Sequence, residues 1–434
     1  MAGEKKANGD GSIYKQKDGM WAGALTLGWS DDGKQIRKVV RRKQRDKLVL
    51  EMRRLKKELA EHGDLINGAA TLGEWLAVWR DEIAPKDVRP KTMEGYRGVI
   101  NNYIIPTIGK VKMEKLSADH VRKLHATMRA MPKNRRDREY LKGVPRAKWA
   151  DVVKDLDPKQ WPESLKGKDE KDWPDDLPTL SSTYTLLAHN VLSSALEQAV
   201  KEKKLRRNVC ELVDRPKARK TEQKALELDE AIQLLAHLAT LDDGPLWATY
   251  LLTGGRRGEV LGLEADRISE DIDFSWQLQR IKDIKSAPDD FEYRHLRGTL
   301  YLTRPKSSAG WRIIPNVEPL RSFLALAVNG RTEGLVFSEF GDDRPYDPDR
   351  ASKRWKAVLV SAGLPEDVNL HGSRHTMADL LYYAGVPEDL IPMILGHSSR
   401  AMSRDYRTRS QVHRQRMREG MESISKLLTP QLTA

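Results

Sequence analysis

Cysteine is almost missing from this 434-residue chain, in which Cys210 stands alone. An internal disulfide is therefore excluded, and so is any zinc site built on paired cysteines. Long apolar runs are missing too, since no stretch approaches the ~18 residues that a membrane-spanning helix needs. The opening MAGEKKANGDGS has no apolar core of a signal peptide. A cytoplasmic protein without membrane partners is the expectation. Negative charge is also in short supply: 63 Asp and Glu stand against 76 Lys and Arg, a formal charge of +13. A large polyanion is the natural partner of such a surface. The imbalance is concentrated at the start, where sixteen basic and eight acidic side chains fall within the first 60 residues. KQIRKVVRRKQR, Lys34 to Arg45, is the densest run.

At roughly 150 residues per domain, the length suggests about three domains. Residues 1–67 form the first. Period-two alternation in WAGALTLGW (Trp21 to Trp29), the turn SDDGK, and a second alternating run QIRKVVR, preceded by SIYKQ, predict a three-stranded sheet. Leu48, Met52, Leu55 and Leu59 then form the stripe of a helix from Gln44 to His62. A small ribbon can enter the major groove of DNA, so Arg37, Lys38, Arg41 and Arg42 are its candidate contacts.

Residues 68–218 read as a helical domain. TLGE (Thr71 to Glu74) has capping-box spacing, with Leu72, Trp75, Leu76 and Trp79 at helical intervals behind it. Tyr96, Val99, Ile100, Tyr103 and Ile104 form a second stripe, and Thr183 to Lys203 a third long helix. Between about 131 and 178 the chain turns charge-mixed and proline-containing, with Trp149, Trp161 and Trp173 an even 12 residues apart. QWPESL and DWPDDL resemble copies of one unit too short to stack, so an irregular insertion is expected. DRPKARKTEQK, Asp214 to Lys224, has the composition of a linker.

Residues 219–434 carry four polar pieces where a packed domain prefers apolar ones. In TGGRRGEVLGL (Thr253 to Leu263) two glycines stop one helix, expose Arg256 and restart another, with Glu259 three residues on to hold the guanidinium. LYLTRPKSSAGWRIIP (Leu300 to Pro315) reads as a hairpin with Lys306 near its tip. HGSRHTMADLLYYAG (His371 to Gly385) puts His371 and Arg374 on one helix face and turns Met377, Leu381 and Ala384 inward, with Pro387 opening the next helix. His371 and His375 have metal-pair spacing, but HExxH is absent and no third ligand is evident, so no metal is expected. In LGHSSRAMSRDY, Gly396 caps a helix, leaving His397 in a turn and Tyr406 on a polar segment.

Arg-x-x-Glu, a strand-end Lys, His-x-x-Arg-His, Leu-Gly-His and a Tyr nine residues beyond, in that order, closely resemble the tyrosine recombinases of the phage-integrase type. The resemblance covers roughly Leu226 to Arg409, extends more loosely to the helical domain, and likens the N-terminal ribbon to an arm-site-binding module. The Trp-bearing insertion has no counterpart in it.

The fold it implies is multidomain, mainly α with small β-sheets. The site residues it implies are Arg256, Lys306, His371, Arg374, His397 and the nucleophile Tyr406, supported by Glu259 and His375. The implied activity is site-specific cleavage and rejoining of DNA through a 3′-phosphotyrosyl link, with four protomers meeting at a Holliday junction to integrate and excise a phage genome or mobile element. It needs no cofactor, neither ATP nor a metal. Its partners are core-type and arm-type duplex sites and accessory DNA-bending and directionality proteins, in a bacterial nucleoid.

Two rivals keep part of this. A type IB topoisomerase would use a similar site to relax DNA, but has no need of a second binding module. A non-catalytic DNA-binding or architectural protein would have no need of the full polar set. The tail VHRQRMREGMESISKLL carries the stripe Met417, Met421, Ile424 and Leu428, suited to packing on its own domain or on a neighbour.

Overall fold

The alternation at the N-terminus becomes an antiparallel sheet, β1 (Ser12–Lys15), β2 (Trp21–Trp29) and β3 (Gln35–Arg42), in that order. The helix Arg45–His62 covers one face, burying Leu48, Met52 and Leu55 against Leu25. Gly23 is what lets it approach, since a Cβ there would stand 2.8 Å from the Met52 sulfur. This architecture comes from a computed structural model describing residues 12–29, 35–62, 70–133, 138, 149, 152, 179–218, 223–305, 311–339, 344–396 and 411–432. The chain divides into two units, Met1–Ala84 with Gly95–Arg219, and Pro85–Glu94 with Lys220–Ala434. Among the described residues no helix is long and apolar enough to cross a membrane.

In the first unit the capping box forms: Thr71 N–H donates to Glu74 Oε2 at 2.7 Å, and Glu74 N–H to Thr71 Oγ1 at 3.3 Å. It starts the helix Leu72–Val78, whose Leu72, Trp75 and Leu76 are buried. Trp75 Nε1 donates to Ala195 O at 2.9 Å, fastening it to the long helix Ser182–Lys201. Val99, Ile100, Tyr103 and Ile104 are buried as their stripe requires. His125 and His189, both buried, share a ring hydrogen bond at 3.2 Å. Most of the segment 131–178, including Trp161 and Trp173, lies outside the described residues, while Trp149 is buried.

In the second unit the helix Gly244–Thr253 is buried along almost its whole length. It ends at Gly254, whose φ of +56° is left-handed, where a side chain is strained. The short helix Arg257–Leu261 follows and buries Val260 and Leu261. Behind it come β4 (Asp271–Asp273), β5 (Gln277–Arg280), β6 (Tyr293–Arg297), β7 (Leu300–Thr303) and β8 (Ile313–Pro315).

Leu300 to Pro315 is not a hairpin. β7 lies between β5 and β6, whereas β8 pairs with β4 in a separate two-stranded sheet. Burial decides the matter: the pairs Leu278↔Leu302 and Ile272↔Ile314 each bring two core side chains together. Pro387 does not open a helix either. It sits in a turn closed by Leu390 N–H to Pro387 O at 2.9 Å, and Pro392 occupies the first turn of the helix Ile391–Leu395. The helix Gly372–Tyr383 buries Met377 and Leu381, with Ala384 half-buried just after it. The last helix, Gln411–Leu432, sets Met417, Met421, Ile424 and Leu428 into the core of its own unit.

Gly262 follows Leu261 where the chain presses on β5, and a Cβ there would lie 2.6 Å from Leu278 N and 2.9 Å from Gly258 O. Gly262→Ala is expected to cost about 1–3 kcal/mol as an overpacking change, read by urea unfolding followed through tryptophan fluorescence. An unchanged unfolding midpoint would show that this contact is not tight.

Candidate active site

Arg256 sits at the start of the helix Arg257–Leu261, where its own backbone N–H donates to Glu259 Oε2 at 3.0 Å and its Nη1 to Glu259 Oε1 at 2.6 Å. The i,i+3 spacing thus does two things at once: it caps the helix and orients the guanidinium. Nη2 donates to Gly396 O at 2.8 Å, which ties Arg256 to the residue before His397. The Arg256 side chain is still 41% exposed, open to an incoming anion, while that of Glu259 is 3% exposed.

Beneath this pair lies a residue that the sequence reading did not single out. Arg312 is fully buried in the run that leads into β8. Its Nε and Nη2 donate to Glu259 Oε2 at 3.2 and 3.0 Å, and its Nη1 donates to Thr253 O at 3.0 Å and Ile394 O at 2.8 Å. One guanidinium therefore joins the end of the helix Gly244–Thr253, the carboxylate that holds Arg256, and the helix that leads to Gly396. Burial works to raise the Glu259 pKa, but Arg312 and then Arg256 outweigh it and keep the carboxyl ionised below its ordinary value. The signal available in the sequence was a charged residue inside WRIIP, a run otherwise fit for a core strand.

Arg374, on the helix Gly372–Tyr383, is buried and donates from Nη1 to Gly254 O at 2.9 Å. Burial, followed by the charges of Arg312 and Arg256, presses its pKa down to about 9, with Glu259 working the other way. It remains a cation at pH 7. Three guanidiniums and one carboxylate leave a surplus of positive charge, the condition for receiving a phosphate.

His371 caps the same helix, and Asn369 Oδ1 accepts from the His371 and Gly372 N–H groups at 2.9 and 3.1 Å. Its pKa is lowered by desolvation first, then by His375, Arg374 and Arg256. The His375 ring lies edge-on to it, with centroids 5.5 Å apart. The structure thus gathers Arg256, Glu259, His371, Arg374 and His375. Lys306, His397 and Tyr406 lie outside the described residues.

The four basic residues of β3 are not gathered on one face. Lys38 pairs with the buried Leu25 and Arg42 with Trp21, on the face covered by the helix Arg45–His62, where Arg42 approaches Glu51 at 3.9 Å. Arg37 and Arg41, opposite Thr26 and Ala22, alternate with them and share the other face with exposed Val39.

Residues 224–413 match the phage integrase family and residues 71–128 match the phage integrase N-terminal SAM-like domain, together more than half of the chain. An integrase of Saccharopolyspora erythraea is 24% identical over 456 residues, covering 93% of both chains. An integrase of Streptomyces ambofaciens is 24% identical over 421 residues, covering 93% of this chain and 92% of its own. Among solved structures, the Tn1549 transposon integrase in complex with transposon right end DNA superposes with a TM-score of 0.52 at 16% identity, over 82% of this chain and 99% of that one. The lambda integrase tetramer bound to a Holliday junction gives 0.50 at 14% identity, over 89% and 95%. The chain belongs to the phage integrase family, and it is a site-specific tyrosine recombinase.

Breaking a buried ion pair from one side leaves the other charge stranded. Arg312→Met should therefore cost about 3–5 kcal/mol in urea unfolding. Adding Glu259→Gln to it should recover part of that loss, and strict additivity of the two changes would contradict the pairing.

Proposed function

We infer that the chain cuts and rejoins DNA by attack of Tyr406 Oη on a backbone phosphate, forming a 3′-phosphotyrosyl link and releasing a 5′ hydroxyl. The observation that supports this most is the convergence of Arg256 and Arg374 around buried Glu259 and Arg312. Attack concentrates negative charge on the non-bridging oxygens of a five-coordinate phosphorus, and fixed donors must already be in place to meet it. Arg256 and Arg374 supply bidentate contacts, and His397 a further donor. His371, neutral at pH 7 because its pKa is lowered, takes the phenolic proton, with His375 supporting its ring. Lys306 gives a proton to the departing 5′ oxygen. The tyrosyl ester keeps the energy of the broken bond, so a 5′ hydroxyl from another duplex can reseal it without ATP or a metal.

Domain roles are part of the same proposal. Residues 1–67 grip arm-type sites, with Arg37 and Arg41 on the open face of the sheet as the first contacts. Residues 68–218 bind the core site, residues 219–434 carry out the chemistry, and four protomers exchange strands through a Holliday junction. The element is integrated into and excised from the DNA of a bacterial host, in the cytoplasm and with accessory DNA-bending proteins. Covalent capture in denaturing detergent tests the chemistry and yields its substrate, since a random-sequence pool of nicked duplexes should surrender one core sequence linked to the protein. Tyr406→Phe should abolish the adduct, and an adduct that survives this change removes Tyr406 as nucleophile. Arg374→Ala should slow capture on the order of 10²-fold or more.

The pH profile carries a sign. Because the folded pKa of His371 lies below the ordinary imidazole value of 6.5, the base form persists into mild acid. The acid limb of the cleavage rate should therefore fall below pH 6.5 and change in His371→Gln. A limb above that value, or one that His371→Gln leaves in place, excludes this histidine as the base.

A further inference from the structure

β7 ends at Thr303, and beyond it the sheet no longer supplies partners for the carbonyls that lead toward Lys306. Arg89 supplies them instead. It lies in the Pro85–Glu94 segment, which belongs to the second unit. Its Nη1 donates to Arg304 O at 2.8 Å and its Nη2 to Pro305 O at 2.9 Å, and its guanidinium lies 5.4 Å from the Phe291 ring centroid. Glu94 fastens the same segment by accepting from Lys282 N–H at 2.7 Å. The Arg304 side chain is held as well, 4.4 Å from the Trp276 ring and 4.8 Å from the Trp311 ring. Two donors spent on consecutive carbonyls fix two peptide planes at the residue from which Lys306 departs. A point-charge ammonium cannot do this, because the fork geometry belongs to arginine.

We propose that Arg89 is a positioning residue for proton delivery to the leaving oxygen: its clamp on the Arg304 and Pro305 carbonyls holds the backbone that leads into Lys306. The proposal rests on the reading of Lys306 as the acid. In that step the Tyr406 O–P bond forms, the P–O5′ bond breaks with its electron pair going to O5′, and O5′ takes a proton from the Lys306 ammonium. A sulfur in place of O5′ leaves as a thiolate and has no need of that proton. Loss of the clamp therefore slows the oxygen ester and spares the sulfur ester.

The test uses the full chain and a nicked duplex of the captured core sequence, made once with the ordinary ester and once with a bridging 5′-phosphorothiolate at the scissile position. Arg89→Ala should cut the oxygen ester on the order of 10-fold more slowly, inside the ~10²-fold that a 1 Å misplacement can carry, while cleaving the sulfur ester at close to the wild-type rate. Lys306→Ala should show the same selectivity, more strongly. The ratio of the two rates does not depend on how much protein is folded. If the alanine variant does not fold at all, Arg89→Lys is read by the same ratio. Equal slowing of both esters in the Arg89 variant, or of neither, overturns the clamp while a selective Lys306→Ala leaves the acid in place. If Lys306→Ala is itself unselective, the acid reading falls and the proposal with it.

Discussion

The buried contact between Arg312 and Glu259 is what the rest of the site hangs on. Neither charge could remain ionised alone at that depth, because the cost of removing each from water is repaid only by the other and by the remaining hydrogen bonds. Arg312 spends its other donors on Thr253 and Ile394, the last residue of one helix and a residue near the end of another. Glu259 spends its other oxygen on Arg256. A single ion pair thereby fixes the spacing of three segments that are far apart in sequence. Gly396 makes room for it: its backbone is left-handed, and a Cβ there would stand 2.9 Å from Arg312 Cδ.

Electrostatically the site is unbalanced by construction. Burial first, and then repulsion from Arg312 and Arg256, make Arg374 hold its proton less tightly than a solvated guanidinium, and Glu259 offsets only part of this. The surplus costs stability in the free protein and is relieved when an anion arrives. In the proposed mechanism that anion becomes more highly charged as the tyrosine attacks, so the relief is greatest at the transition state.

Much of this was legible because it obeys local rules. Period-two alternation predicted the ribbon of Trp21–Trp29 and Gln35–Arg42, and the Thr71–Glu74 box and the Arg256–Glu259 spacing act within one helical turn. What failed was non-local. Leu300–Thr303 and Ile313–Pro315 are neighbours in sequence, and a short polar link between two apolar runs reads as a hairpin. Core packing instead pairs Leu300–Thr303 with Gln277–Arg280 as well as with the adjacent Tyr293–Arg297, and Ile313–Pro315 with Asp271–Asp273. Arg312 was missed because a fully buried arginine has no periodic signature; only its partners explain it. Arg89 was missed because it acts on backbone carbonyls, which no residue type announces.

The segment 397–410 is bounded by two fixed points. At one end Gly396 is held by Arg256, and at the other the helix beginning at Gln411 is seated through Met417 and Met421. Tyr406 is five residues from Gln411, so its backbone can range no further than roughly 17 Å from that anchor. On the proposed mechanism, the length of chain between those anchors sets the local concentration of the attacking phenol at the phosphate. If Tyr406 is the nucleophile as proposed, extra residues between Gly396 and Gln411 would dilute it while leaving Arg256, Glu259, Arg312 and Arg374 unchanged.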